Sequence, residues 1–337
     1  ETLPAEAFEA RNESRRLLLA QSYRIADGLE SEGIKAYGAS KLSLVGVCSG
    51  EVVELPDFRN IVFIPAVAQR KRHQMLKQLE YFLQRHPFSR MWVFTSGERA
   101  ALGEVRERIE RLHRRLSKLN AEPFMKSAGA RIVFRSTELG DVTRSETAEA
   151  TFHIHAHTIV HLRAKLDPER WSYLLQGVHA WWKHHFDDSK RIHQAREVCK
   201  YVVKPGDLDS LRSWELVELH RQLFKLHLVQ CLGPLRDQRR EIEETGCKLV
   251  RRSNGERTWW DLVANWNGGR RGDDETSGTK DYSEAPEDWV ICTLPPSFAL
   301  SNRSEPLAVV LNYRGARLGE NRRIRQIRES CQGLFGG

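Results

Sequence analysis

Four histidines, His153, His155, His157 and His161, fall within thirteen residues of a β-prone run, Ala150 to Leu162 (ATFHIHAHTIVHL). Side chains alternate across a strand, so these four share one face, and Ile154, Ala156, Val160 and Leu162 share the other. Two imidazoles two residues apart project in parallel, about 6.5–7 Å from each other, and can grip a single metal ion. The competing account is a histidine-rich solvent face that holds no metal. An apolar opposite face argues for the metal, as does the acid Glu138 in the preceding β-prone segment, within hairpin reach.

A second group is Glu197, Tyr201 and Lys204, spaced by four and three. On a helix this spacing puts a carboxylate, a phenol and an ammonium on one face. Such a set is a nucleophilic kit. The phenolate can attack phosphorus, the ammonium lowers its pKa or steadies charge, and the carboxylate can activate water. On spacing alone, a surface cluster around a half-buried tyrosine is the simpler account.

These residues need elements to carry them. The segment from Ala5 to about Glu32 reads as a helix, and Lys41 to Glu54 as two short strands around Ser49-Gly50. The basic cluster Arg70-Lys71-Arg72-His73 is expected to open a helix that ends near His86-Pro87. Met91 to Thr95 (MWVFT) reads as a buried strand. Val105, Ile109, Leu112, Leu116 and Leu119 then recur at helical steps. The other face of that helix carries Arg106, Arg108, Arg111, Arg114, Arg115 and Lys118, a lopsidedly basic surface that suits phosphate contact.

Ala130 to Leu139 and Ala150 to Leu162 read as an antiparallel hairpin. A helix follows from about Asp167. A further helix, capped by Asp187-Asp188-Ser189, is expected to run to about Tyr201 and stop at Pro205-Gly206. Leu208 to about Glu244 reads as helical. Asn265 to Glu287, rich in Gly, Asp, Ser and Thr, reads as a loop or linker. Leu307 to Tyr313 is β-like, and Arg314 to Arg328 is basic.

Composition sets the wider bounds. The 337 residues carry 53 lysines and arginines against 45 acids, a formal charge of +8 that favours a polyanionic partner. No apolar run is long enough to span a bilayer. The opening Glu1-Thr2-Leu3-Pro4 lacks signal-peptide character and, without an initiator Met, reads as a trimmed start. Six scattered cysteines without a CxxC pair fit a reducing cytoplasm better than a disulfide framework or a cysteine zinc site. No GxxxxGK[ST] motif exists for ATP. Trp181-Trp182 and Trp259-Trp260 are candidate platforms for stacked bases, although tryptophan at helical spacing more often belongs to a core.

Three blocks in order carry a resemblance. They are Trp92-Val93-Phe94-Thr95 with the helix after it, His155-Ala156-His157 within Phe152 to Val160, and Lys200-Tyr201-Val202-Val203-Lys204. Over about Met91 to Leu208 the chain resembles the HUH endonucleases, and among them the rolling-circle plasmid replication initiators. The resemblance implies His155, His157 and Glu138 as ligands of Mg²⁺ or Mn²⁺, Tyr201 as nucleophile, Lys204 as its helper and Glu197 as the water-activating acid. It also implies site-specific nicking of one DNA strand, a 5′-phosphotyrosine intermediate, joining at termination, and a host helicase as a further partner.

Two features depart from the family pattern. Ile64-Pro65-Ala66-Val67 stands where many relatives carry a cysteine cluster, so a structural zinc there is not expected. Ala156 is small for its position, and His153 is an extra imidazole that competes with Glu138 for the third ligand place.

The expected fold is α+β: a central antiparallel sheet with helices packed on one face, HUH-like, with the Tyr201 helix across the open face. The expected division is N-terminal additions over 1–88, a catalytic core over 89–245 and a C-terminal extension over 246–337. A relaxase or single-strand transposase would share this chemistry. A non-catalytic nucleic-acid-binding protein would share only the basic charge.

Overall fold

In the computed structural model, the described residues are 5–38, 42–46, 52–55, 57–144, 149–192, 195–199, 203, 205–254, 258–264, 289–292, 299–300, 303–304 and 307–311. Tyr201, Lys204 and Lys200 lie outside them, as do the expected 265–287 loop and the basic 314–328 tail.

In chain order the elements begin α1 (Ala5–Ser31), β1 (Leu42–Gly46), β2 (Val52–Leu55), α2 (Pro65–Arg85), β3 (Arg90–Thr95) and β4 (Ala100–Ala101). Next come α3 (Val105–Leu119), α4 (Pro123–Ser127), β5 (Ala130–Thr143), β6 (Thr151–Leu162) and α5 (Pro168–Trp182). Then follow β7 (Phe186–Arg191), α6 (Ala195–Val198), α7 (Pro205–Leu208), α8 (Ser213–Leu223), β8 (Val229–Cys231) and α9 (Gly233–Glu244). The last are β9 (Lys248–Ser253), β10 (Thr258–Val263), β11 (Trp289–Cys292), β12 (Ala299–Leu300), β13 (Arg303–Ser304) and β14 (Leu307–Leu311).

The chain forms two compact units that do not follow chain order. One gathers Glu1–Ala20, Lys35–Asn60 and Arg271–Gly337, and its antiparallel sheet runs β11-β14-β1-β2. The other holds Gln21–Ile34 and Ile61–Arg270. The boundaries expected near residues 88 and 245 both fall inside this second unit.

The second unit is α+β, built on an antiparallel sheet ordered β7-β3-β6-β5-β8, with β4 paired to β6. The long hairpin β5–β6 forms its centre, as the alternating pattern on β6 predicts. Strand β3 reads Arg-Met-Trp-Val-Phe-Thr and is buried on both faces, which is why it is an apolar run and not an alternating one. On α3, all five apolar positions are buried. Asp167 caps α5 by accepting a 2.8 Å hydrogen bond from Arg170 N, with Pro168 in the first turn.

Helices pack on both faces of this sheet, not on one. On the Ala156 face, Phe94 meets Trp182 of α5 at 4.6 Å between ring centroids, and His113 of α3 bonds Thr137 at 2.8 Å. On the histidine face, Ile159 follows His157, and the His161 ring stands 5.9 Å from that of Phe82 on α2. Ile159, Met91 and Val133 there form one buried cluster with Leu79 and Phe82 of α2, Val198 of α6 and Leu235 of α9. Apolar surface of that extent demands cover, so the histidine face is open only where its residues are polar.

Three local expectations are corrected. Residues 187–201 are not one helix: β7 occupies Phe186–Arg191 and α6 only Ala195–Val198. Asp187-Asp188-Ser189 reads locally as a cap, but the free edge of β3 offers backbone partners and Phe186 stacks on Phe94 at 4.9 Å, so pairing wins. Residues 208–244 are likewise interrupted, because Leu228 O and Leu232 N bond to β5 on either side of β8. Helix α2 begins at Pro65, placing Arg70–His73 inside it and not at its start. The hairpin β9–β10, which had no local signal, packs Trp260 on α2 through bonds to Glu80 and Gln84.

Candidate metal centre

Strand pairing sets the centre. Glu138 on β5 is the register partner of His155 on β6, and Ser136 is the partner of His157. Partners across an antiparallel pair project to the same face, so all three ligand candidates converge. Glu138 Oε2 lies 2.9 Å from His155 Nε2 and 3.0 Å from His157 Nε2. The three candidate ligand atoms lie within 4.8 Å of one another.

His153 does not join them. It pairs with Gly140, and its ring stands 5.7 Å from that of His155. Between the two alternatives for the third place, the geometry brings in Glu138. Gly140 makes this possible. A Cβ there would come within 3.1 Å of His155 Cε1, so the missing side chain leaves room for the ligand ring.

Burial is graded across the trio. Glu138 is 3% exposed and His157 8%, whereas His155 is half-buried. Burial of Glu138 by itself would raise its pKa. The hydrogen bonds and charges of His155 and His157 outweigh that and hold the carboxyl well below the usual carboxylate range. A buried carboxylate flanked by two imidazole nitrogens is a cation site in its charge as well as its shape. The residues therefore fit a metal ion. Mixed imidazole and carboxylate donors suit several divalent ions, and the donor set alone does not choose among them.

The nucleophile block is only partly placed. Tyr201 and Lys204 lie outside the described residues. Glu197 is half-buried on α6, one residue before that helix ends at Val198. Two contacts that the sequence reading missed fix the chain on either side. Arg72 Nε donates to Cys199 O at 2.6 Å, and another of its guanidinium nitrogens donates to Arg196 O at 3.0 Å. Val203, 2% exposed, forms a parallel bridge with Leu139, the neighbour of Glu138. The singled-out basic cluster held a hint of the first contact. The bridge had no local signal.

The tryptophans divide. Trp182 is fully buried core and Trp260 serves packing, while Trp181 stays half-buried, stacked on Trp182 at 6.0 Å. Among the described residues, no helix is long and apolar enough to cross a membrane. Compared with protein-family models, with curated proteins and with solved structures, the chain matches none of them.

Proposed function

We propose that this protein is a metal-dependent DNA strand-cleaving and strand-joining enzyme of the HUH type that initiates rolling-circle replication. The observation that carries the reading is the convergence of Glu138 Oε2 on His155 Nε2 and His157 Nε2. These three residues would hold Mg²⁺ or Mn²⁺, and when bound the ion polarises the scissile phosphate. The choice of ion rests on the phosphodiester substrate.

The other roles belong to the chain itself. Tyr201 attacks the phosphorus. The bond from tyrosine oxygen to phosphorus forms as the bond from phosphorus to the 3′ oxygen breaks. The phenol gives up its proton, and the departing strand end gains one to become a 3′-hydroxyl. Lys204 steadies the phenolate, and Glu197 serves as base when water or a second strand end releases the enzyme. The parallel bridge of Val203 to Leu139 supports this assignment, because it brings the chain two residues after Tyr201 to the strand that carries Glu138. The partner is single-stranded or extruded DNA, with a host helicase in the cytoplasm completing the system.

The test is nicking of supercoiled plasmid in Mn²⁺, together with covalent capture of a labelled origin oligonucleotide. Wild type should retain label after denaturation and Tyr201→Phe should not. Capture by Tyr201→Phe would point to another tyrosine, of which Tyr173, 63% exposed on α5, is the nearest competitor in sequence. Tight DNA binding with no cleavage in any divalent ion would leave a binding protein.

A further inference from the structure

A second polar concavity lies where the metal trio plays no part. It is a cavity of about 540 Å³ between the turn after β3, helix α3 and His184. Arg108, Arg111 and Arg115 stand at steps of three and four along α3 and line one wall. The facing wall is Ser96, Gly97 and Glu98, with His184 beside them.

This wall is held in place. Thr95 donates to His185 O from its backbone N at 3.3 Å and from Oγ1 at 3.1 Å. Ser96 N donates to Ile154 O at 2.9 Å. Gly97 has φ +95°, and a Cβ there would meet the His184 ring at 3.1 Å, so only glycine lets that ring close against the turn.

The donors converge on a volume without a counter-charge of matching size. Arg115 lies 4.2 Å over the Trp182 ring and donates to Trp182 O, which fixes its guanidinium at the wall. Arg111 is paired with Glu107. Arg108 carries no ion pair to any described residue. Ser96 Oγ is buried without a hydrogen-bond partner among the described residues. Glu98 is the acid among the lining residues. Guanidinium forks, a hydroxyl and an imidazole suit the oxygens of a phosphate, and the volume is that of an ordinary ligand site.

We propose that this cavity binds a backbone phosphate of the DNA single strand beyond the cleaved position. The identity of the strand rests on the function proposed above. Continuity favours a strand over a free anion. Thr95 is the register partner of the ligand His155, and Ser96 at the cavity is the next residue. A strand leaving the trio therefore meets the cavity by rounding the end of β3.

The experiment measures anisotropy of a fluorescein-labelled single-stranded oligonucleotide on the full chain in EDTA, across a salt series. One lost phosphate contact lowers the salt slope by about 0.7, which corresponds to about a fivefold weaker Kd near 0.1 M salt. Arg108→Gln should show this loss. Arg114→Gln, an equal charge change on the same helix away from the cavity, should leave Kd within about twofold by the same arithmetic. Should wild type fail to cleave at all, the catalytic reading falls while the binding comparison still stands. If Arg108→Gln melts early, Arg108→Lys replaces it and should show a smaller loss of the same sign. Equal weakening by Arg114→Gln, or an unchanged Kd for Arg108→Gln, would overturn the proposal. So would pyrophosphate binding that depends on Arg108 while oligonucleotide binding does not.

Discussion

Arg72 in α2 holds the backbone carbonyl of Cys199 at 2.6 Å, so a helix remote in sequence anchors the chain two residues before Tyr201. Hydrogen bonds from a charged donor contribute about 1.5–3 kcal/mol each, and Arg72 makes a second to Arg196 O. Arg72→Ala should speed amide exchange across Ala195–Cys199 and lower cleavage about tenfold through misplacement. Mn²⁺ affinity should stay within about twofold, because no ligand is touched. Unchanged exchange in Ala195–Cys199 would remove the anchoring role.

The metal trio makes its own prediction. His157→Ala and His155→Ala should each weaken Mn²⁺ binding by at least the 10–100-fold seen when even a supporting group is lost. DNA affinity should persist, since phosphate contacts from arginine and lysine dominate it. Gly140→Ala is the subtler probe. It leaves every ligand in place but crowds the His155 ring, and should weaken Mn²⁺ binding without changing DNA affinity. Calorimetric titration of Mn²⁺ reads all three, and wild-type affinity in His157→Ala would exclude the trio as the site.

In the proposed function, Glu197 would act at termination and not at initiation. General-base help is worth about 10²–10⁴ in rate, so Glu197→Ala should leave the first cleavage near normal and slow the terminating cleavage. The competing account is a pairing of Glu197 with Tyr201 or Lys200 that only steadies the local chain and would slow both cleavages alike. Equal slowing of initiation and termination on one substrate pair would remove the role.

A pH dependence follows from His113. Its ring bonds Thr137 at 2.8 Å, and burial, followed by the charges of Arg135 and His227, lowers its pKa from 6.5 to about 3. The folded chain therefore keeps His113 neutral where an unfolded chain would protonate it. That stability is intact above pH 6.5 and is lost as pH falls toward 3. His113→Gln can keep the bond to Thr137 without titrating. Between about pH 7 and about pH 4, wild type should lose about 2 kcal/mol more than the variant, a figure below full linkage because the ring is only partly buried. Parallel urea-denaturation curves at the two pH values read the difference, and identical losses would contradict it.

Local sequence was sufficient wherever a single periodicity met a single environment. The five apolar steps of α3, the buried run of β3 and the parity of His155 and His157 on β6 all needed only side-chain spacing, and the structure repeats them. Glu138 could be named because a hairpin keeps its partners close in sequence. Other features depended on partners distant in the chain. The β7 segment reads as a capped helix until the free edge of β3 offers hydrogen bonds and Phe94 offers a ring. Strand β1 pairs with β14 across more than two hundred residues, a contact that no local window contains. The helices over the far end of the histidine face were set by Ile159, Met91 and Val133, whose shared apolar patch exists only once three strands are aligned. Choosing Glu138 over His153 likewise needed tertiary structure. Both lie on the right strands, but only the register that seats Gly140 beside His155 brings one carboxylate oxygen within hydrogen-bond distance of both imidazoles.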